Sequence, residues 1–107
     1  NPWDRSPERD GVLAYCKREG LPFLPWSPLG GSNRVKRLKE IPVLRSLSVE
    51  RNLSPQRIVL AWMMARSPAI VPIPGASKIS NLEDSAAAVD LVLTTEDVAQ
   101  IDAATTF

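Results

Sequence analysis

The chain has 107 residues, of which 44% are hydrophobic and 23% are charged, and its formal net charge is +1. That length suits one domain, and the composition is typical of a globular protein. The small net charge and the lack of a long apolar stretch argue against nucleic acid or a membrane as a partner.

The sequence has a single cysteine, Cys16, which rules out a disulfide within the chain, and it has no histidine. Chains without disulfides are typical of a reducing compartment, so we expect a cytoplasmic location. We interpret Cys16 as a small packing residue because no histidine can activate it, and we predict no metal site. Because the chain begins with Asn1 and not with methionine, we expect it to be excised from a longer protein.

The first predicted element is a helix. Ser-Pro-Glu at 6–8 is typical of a helix start with Ser6 as the cap, and Gly20 can end the helix in a left-handed conformation. Its apolar stripe consists of Val12, Leu13 and Cys16.

Residues 21–26 are apolar without polar alternation, which predicts a strand buried on both faces. Pro22 and Pro25 disfavour a regular central strand. Residues 30–39 are polar, basic and contain glycine, so we expect a loop. Its cations, Arg34, Lys36, Arg37 and Lys39, fit either a solvated surface or the neighbourhood of an anionic ligand.

Two helices follow. The first covers residues 42–51 and ends at Asn52, because asparagine tolerates positive φ. Ser54 and Pro55 open the second, which is apolar on nearly all sides through residues 58–65 and should be buried. We interpret Trp62 and the methionines beside it as core residues and not as a ligand site.

Residues 69–73 predict a second buried strand, which ends at Pro-Gly-Ala-Ser at 74–77. Ser-Asn-Leu-Glu at 80–83 has the pattern of a capping box that opens a helix through residues 82–89. Thr94 starts a last helix with Val98 and Ile101 facing inward, followed by a frayed tail over residues 105–107.

Strands that alternate with helices indicate an α/β fold with parallel strands. Two strands cannot by themselves form a sheet that is covered on both faces. We therefore predict an incomplete TIM (β/α)8 barrel: one partial domain over residues 1–107, with two parallel strands and about five helices.

Both predicted strands end in loops suited to a phosphate-bearing ligand. Glycines let a backbone approach phosphate closely, and Ser27 and Ser77 can donate hydrogen bonds. Lys78 could meet a ribose 2′-phosphate, and Trp26 offers a flat face to a nicotinamide ring. Each signal alone is also that of an ordinary turn.

Taken together, four segments resemble the aldo-keto reductase family in order and spacing. They are Trp-Ser-Pro-Leu-Gly-Gly at 26–31, Ser-Pro-Gln with Leu-Ala-Trp at 54–62, Val-Pro-Ile-Pro-Gly-Ala-Ser-Lys at 71–78, and Leu-Thr-Thr-Glu-Asp at 93–97. The resemblance implies the C-terminal segment of the family's barrel, with its last two strands and their helices. It also implies NADPH as the cofactor.

The resemblance assigns expected roles along the first loop. Trp26 stands where the family has an aromatic residue stacked on the nicotinamide. Ser27, Leu29 and Gly30 would line the pyrophosphate, and Arg34 would close over it.

In the second loop, the resemblance implies that Gly75, Ala76, Ser77 and Lys78 hold the 2′-phosphate region, with Asn81 near the adenine. Where the family usually has a Glu-Asn pair at the adenine, this chain has Asp-Ser at 84–85.

The family's catalytic aspartate, tyrosine, lysine and histidine belong to the N-terminal part of the barrel. The only tyrosine here, Tyr15, lies in a helix expected on the outside of a barrel, so we predict no catalytic residues and an inactive isolated chain. In an intact enzyme the partner would be a small-molecule carbonyl substrate. The alternatives are a non-catalytic helical module that self-associates and a truncated fragment without independent activity.

Overall fold

Helices make up most of the chain in the computed structural model, which describes residues 1–105. They are α1 (Ser6–Arg9), α2 (Val12–Glu19), α3 (Gly31–Arg34), α4 (Pro42–Arg51), α5 (Pro55–Arg66), α6 (Ile79–Ala86) and α7 (Thr95–Ala104). A 3₁₀ turn extends α3 through Val35–Glu40, and another extends α6 through Ala87–Asp90. Within residues 1–105, no helix combines the length and the apolar character needed to cross a membrane.

The predicted first helix is two helices, because Gly11 adopts φ +80° between α1 and α2. The expected Ser6 cap is wrong: the cap position is Arg5, and the Ser6 N–H donates to Oδ1 of Asp4 at 2.9 Å. The predicted end is confirmed, since Gly20 closes α2 at φ +66°.

The loop predicted over residues 30–39 is wrong, because those residues form α3 and its 3₁₀ extension. Leu38 is fully buried and Val35 packs against the core, so two apolar residues fasten an otherwise cationic segment. The charged side chains between them face outward, which explains why composition alone favoured a loop.

Helix ends predicted from side-chain chemistry are confirmed for α4, α5 and α7. Asn52 ends α4 at φ +52°, and Oγ of Ser54 accepts the Arg57 N–H at 3.0 Å at the start of α5. Thr94 and Asp97 form a reciprocal capping box at the start of α7.

The capping box predicted at residues 80–83 is wrong. Helix α6 begins at Ile79 with Lys78 at the cap position and no side-chain cap. The frayed tail is also wrong at Thr105, which is buried and whose hydroxyl donates to the Ile101 carbonyl at 2.7 Å. Residues 106–107 lie outside the described part of the chain.

The two predicted strands meet as a single parallel bridge between Phe23 and Ile70. The Phe23 N–H donates to the Ala69 carbonyl at 2.7 Å, and the Val71 N–H donates to the Phe23 carbonyl at 2.9 Å. Neighbouring prolines lack the N–H needed to extend a ladder. Burial on both faces is wrong for these segments, since Leu24 is 54% exposed and nearby residues of the second segment are similar.

Helix α5 forms the centre of the core, with residues 58–63 buried. It packs against α4, α7 and both 3₁₀ turns, and the fully or nearly fully buried side chains of those elements are Leu38, Leu44, Leu47, Ala88 and Ile101. Burying each large aliphatic side chain stabilises the fold by about 1.5–3 kcal/mol. Trp62 is a core residue, as predicted.

A ring of charges joins α1, α5 and α7. Glu8 pairs with Arg5 at 2.7 Å and with Arg66 at 2.8 Å, and Asp102 pairs with Arg66 and accepts the Trp62 indole N–H at 2.8 Å. Burial raises the pKa of Glu8, but the hydrogen bonds from Arg66 and Arg5 outweigh it and hold that pKa below its usual value. The ring fixes both ends of the described chain to the central helix.

Candidate functional site

Two loops leave the Phe23–Ile70 bridge in the same direction, because the pairing is parallel. The first loop is residues 26–31 and the second loop is residues 74–78. Each begins three to four residues beyond the bridge, a distance of about 10–13 Å in extended chain. Because both segments run in the same direction at the bridge, we expect the two loops to lie on the same side of it.

The first loop is a turn closed by a hydrogen bond of 2.8 Å from the Gly30 N–H to the Ser27 carbonyl. Ser27 itself has φ +46°. Trp26 is 86% exposed, so its indole offers a flat surface to a planar ligand. Leu29 points the other way and is buried in the core, which leaves only its backbone for a ligand.

Gly30 packs against the indole of Trp3. It has φ +83°, and a methyl group added there would come within 2.4 Å of Cζ3 of Trp3. The exposed Arg34 reaches the same indole, with its guanidinium carbon 5.9 Å from the ring centre. Trp3 was missed by the sequence reasoning; an aromatic residue just after Asn-Pro was the only available signal.

The side chain of Asn1 ties the N-terminal turn to the first loop. Its Nδ2 donates to the Ser27 carbonyl at 3.2 Å, and its Oδ1 accepts the N–H groups of Trp3 and Asp4, each at 3.0 Å. A backbone N–H from Ser6 lowers the pKa of Asp4. The first loop is thus held by contacts from residues more than twenty positions earlier.

The second loop is open. Gly75, Ala76, Ser77 and Lys78 are exposed, and a methyl group on Gly75 would meet nothing within 4 Å. In the part of the chain that the structure describes, Lys78 forms no ion pair.

Helix α6 starts immediately after the second loop. The amides of Ile79 and Ser80 precede the first hydrogen bond of the helix, and no side chain caps them, so these two are available to an anion. Asn81 is exposed on the first turn, where its N–H donates to the Lys78 carbonyl at 3.1 Å.

Asp84 is held by α5. Its Oδ1 accepts from Arg57 through Nε at 3.0 Å and Nη2 at 2.7 Å, while its Oδ2 accepts from the hydroxyl of Ser54. Sequence reasoning placed Asp84 only as a departure near the adenine. The structure shows that its side chain fastens α6 to α5.

The two loops offer a donor set that fits a dinucleotide phosphate. It contains backbone amides, the hydroxyls of Ser27 and Ser77, two exposed cations in Arg34 and Lys78, and the indole of Trp26. Tyr15 lies elsewhere on α2, half exposed and stacked with Arg18 at 5.1 Å. Among residues 1–105, no group of three or more His, Cys, Asp or Glu could hold a metal ion.

Comparison with protein families gives a match of residues 1–106 to the model described as the Aldo/keto reductase family. The chain is 35% identical over 95 residues to an oxidoreductase of Schizosaccharomyces pombe, C215.11c, covering 89% of this chain and 30% of that protein. It is 31% identical over 93 residues to pyridoxine 4-dehydrogenase of Escherichia coli, covering 87% of this chain and 31% of that protein.

Solved structures give the same result. An aldo-keto reductase from Klebsiella pneumoniae in complex with NADP and acetate matches with a TM-score of 0.85 and 30% identity, over 97% of this chain and 36% of that one. The thermostable aldo-keto reductase Tm1743 with the inhibitor epalrestat matches with a TM-score of 0.84 and 30% identity, over 97% and 37%. The chain spans about a third of the length of these relatives.

Proposed function

The chain belongs to the aldo/keto reductase family, and we propose that it forms the C-terminal, dinucleotide-binding part of an NADPH-dependent reductase that converts aldehydes or ketones to alcohols. In this proposal the chain is one portion of a (β/α)8 barrel that works in the cytoplasm. NADPH supplies the hydride when bound, and the residues of this chain hold and orient it. The proposal is supported by relatives solved with NADP or NADPH.

A single observation carries the proposal: the two segments run parallel at the bridge between Phe23 and Ile70, so we expect both loops on the same side of it. Ligands of parallel α/β barrels bind at the carboxyl ends of the strands, and a phosphate site commonly lies in the loops after the last two. A dinucleotide in extended form could therefore contact both loops at once.

We assign the nicotinamide and pyrophosphate to the first loop. Trp26 stacks on the nicotinamide, because its indole is the most exposed large apolar side chain of the described residues. The backbone of residues 27–30 and the guanidinium of Arg34 meet the pyrophosphate, where glycine permits close approach. Leu29 contributes through its backbone, since its side chain is buried.

We assign the adenosine 2′-phosphate to the second loop and the start of α6. The ammonium of Lys78 and the hydroxyl of Ser77 are exposed there, beside Gly75, Ala76 and the open amides of the helix. Asn81 faces the adenine end. Asp84 remains with Arg57 in this assignment, so the adenine has fewer carboxylate contacts than the resemblance implied.

Reduction of a carbonyl also needs a general acid to protonate the oxygen as hydride arrives. The sequence has no histidine, and Tyr15 is stacked on Arg18 of the same helix. In the proposal the acid and most substrate contacts come from the other two thirds of the enzyme, and the 107-residue chain alone is inactive.

The test is a ¹H–¹⁵N NMR titration of the chain with NADPH. Without the rest of the barrel, we expect weak binding with Kd on the order of 1 mM, which NMR measures readily. The amides of residues 27–31 and 75–81 should shift together along one binding curve. Shifts confined to one loop, or no shifts up to the solubility limit of NADPH, would show that the two loops do not form one binding site.

A second candidate, self-association without catalysis, is favoured by one observation. The segments around the Phe23–Ile70 bridge expose Leu24, Val71 and Ile73, each about half exposed, and the described residues extend the pairing no further than this bridge. Exposed edges recruit other chains. Light scattering across a concentration series distinguishes the two: a stable monomer excludes self-association, whereas a dimer that broadens the bridge amides of Phe23 and Ile70 supports it.

A further inference from the structure

We propose that Trp3 is a positioning residue for the first loop: its indole holds residues 27–30 in the conformation that receives the pyrophosphate before the dinucleotide binds. This inference rests on the proposed function. It adds a residue from outside both loops, in a turn that the sequence reasoning left without a role.

The first argument is the contact between Trp3 and Gly30. The indole is partly buried against the core and lies so close to Gly30 that an added methyl group would stand 2.4 Å from Cζ3 and 2.7 Å from Cε3. The six-membered ring of Trp3 therefore occupies the space into which a side chain at Gly30 would extend. The left-handed conformation of Gly30, φ +83°, is therefore supported from one side by the ring.

The second argument is the strained serine before it. Ser27 has φ +46°, a region that a residue with a Cβ seldom occupies without support. Its carbonyl accepts from Gly30 at 2.8 Å and from Nδ2 of Asn1 at 3.2 Å. Asn1 in turn accepts the Trp3 N–H, so the same short turn fixes both ends of the loop.

The third argument is the position of Arg34. Its guanidinium lies over the Trp3 ring, 5.9 Å from the centre, which keeps a mobile cation next to the loop. A guanidinium held there has lost part of its rotamer freedom before the ligand arrives. Pre-organisation of this kind raises affinity without adding a contact to the ligand.

The proposal separates Trp3 from Lys78. The pyrophosphate is common to NADPH and NADH, so loss of the Trp3 side chain should weaken the binding of both cofactors by the same factor. If the loop then spends only a fifth of its time in the receptive conformation, both Kd values rise roughly fivefold. Lys78 meets only the 2′-phosphate, so Lys78→Glu should weaken NADPH and leave NADH nearly unchanged.

The experiment compares Trp3→Ala, Trp3→Phe, Trp3→Leu and Lys78→Glu by NMR titration with NADPH and with NADH. Tyr15→Ala is the matched control, because Tyr15 forms a similar stack with Arg18 at 5.1 Å on α2, outside the loops. We expect Trp3→Ala and Trp3→Leu to weaken both cofactors roughly fivefold. Trp3→Phe keeps an aromatic ring beside Gly30, so its Kd values should stay close to those of the unmodified chain, as should those of Tyr15→Ala.

A readout independent of binding is the chemical shift of the Gly30 α-protons, because Gly30 packs against the six-membered ring of Trp3. The ring-current shift should persist in Trp3→Phe and vanish in Trp3→Leu. If Trp3→Ala does not fold, the Phe and Leu variants decide the matter. If Trp3→Phe and Trp3→Leu bind NADPH with equal affinity, the inference about Trp3 is wrong, and the proposed function is unaffected. If the amides of the two loops do not shift when NADPH is added to the unmodified chain, the proposed function is wrong.

Discussion

Arg57 donates two hydrogen bonds to Oδ1 of Asp84, from Nε at 3.0 Å and from Nη2 at 2.7 Å. The pair joins the first turn of α5 to the last turn of α6, and each side chain is a little over a quarter exposed. The second loop precedes α6, so this pair also sets where the loop stands relative to the core.

Asp84→Ala should lower the free energy of unfolding by about 1–2 kcal/mol, because it removes charge-assisted hydrogen bonds at a partly exposed site. Urea denaturation of the chain measures this. The control is Glu19→Ala, which breaks the exposed pair with Arg18 and should change stability by less than about 0.5 kcal/mol. Equal losses in the two variants would mean that the Arg57–Asp84 pair is only a surface contact.

Gly30→Ala should destabilise the chain by more than Gly20→Ala. Both glycines have positive φ, so each substitution carries a left-handed penalty of about 1–2 kcal/mol. Only at Gly30 does the new methyl group collide with Trp3 and Arg34, whereas Gly20 has nothing within 4 Å. Thermal unfolding should therefore rank the variants in that order, and identical melting temperatures would contradict the close packing.

The effect of charge reversal at Lys78 can be measured with two small ligands, adenosine 2′,5′-bisphosphate and 5′-AMP. We expect Lys78→Glu to weaken binding of the bisphosphate by roughly tenfold and binding of 5′-AMP much less, because an attraction becomes a repulsion at the 2′-phosphate. Lys78→Arg keeps the charge and should bind at least as well through its planar fork. A similar loss for both ligands would place Lys78 away from the 2′-phosphate.

Stability should fall in acid through Asp97. Burial raises the pKa of Asp97. The hydrogen bonds from the Thr94 backbone and hydroxyl, together with Arg51, lower this pKa by more, so the net pKa is below the usual value. A carboxylate with a depressed folded pKa contributes its full stabilisation above the unfolded pKa of about 4 and loses it as pH falls through the lower folded value.

Melting temperatures between pH 7 and pH 2.5 test this dependence. The chain should lose stability below about pH 4, and Asp97→Asn should be less stable at pH 7 and show a shallower acid decline. The substitution also weakens the α7 cap, which by itself lowers stability by about 1 kcal/mol. An unaltered acid slope in Asp97→Asn would assign the decline to other carboxylates.

Local side-chain chemistry predicted three helix ends correctly, but the caps that it predicted at Ser6 and at residues 80–83 are wrong. Ser54, Thr94 and Asn52 act at α5, α7 and α4 as their types imply, because those interactions depend on residues only a few positions apart. Where two patterns competed, the prediction was wrong. The four cations of residues 30–39 favoured a loop, whereas the segment is helical and buries Leu38. The helix predicted from Ser6 to Gly20 is interrupted at Gly11.

The residues of the candidate site could be predicted from the sequence only in part, for a similar reason. The two loops carry their own glycines and serines, so each could be found in the sequence. Trp3 contacts Gly30 of the first loop, and Arg57 contacts Asp84 of α6, each from another part of the chain, and no local pattern reveals such pairings. The roles proposed for Trp26 through Asn81 stay predictions until a titration tests them.

The ring of charges places Arg5 beside Asp102, so the first and last turns of the described chain meet. Arg5 donates to the Asp102 carbonyl at 3.2 Å, and Asp102 accepts the Trp62 indole N–H at 2.8 Å. Each turn therefore helps to hold the other against the central helix, and fraying of one should loosen both.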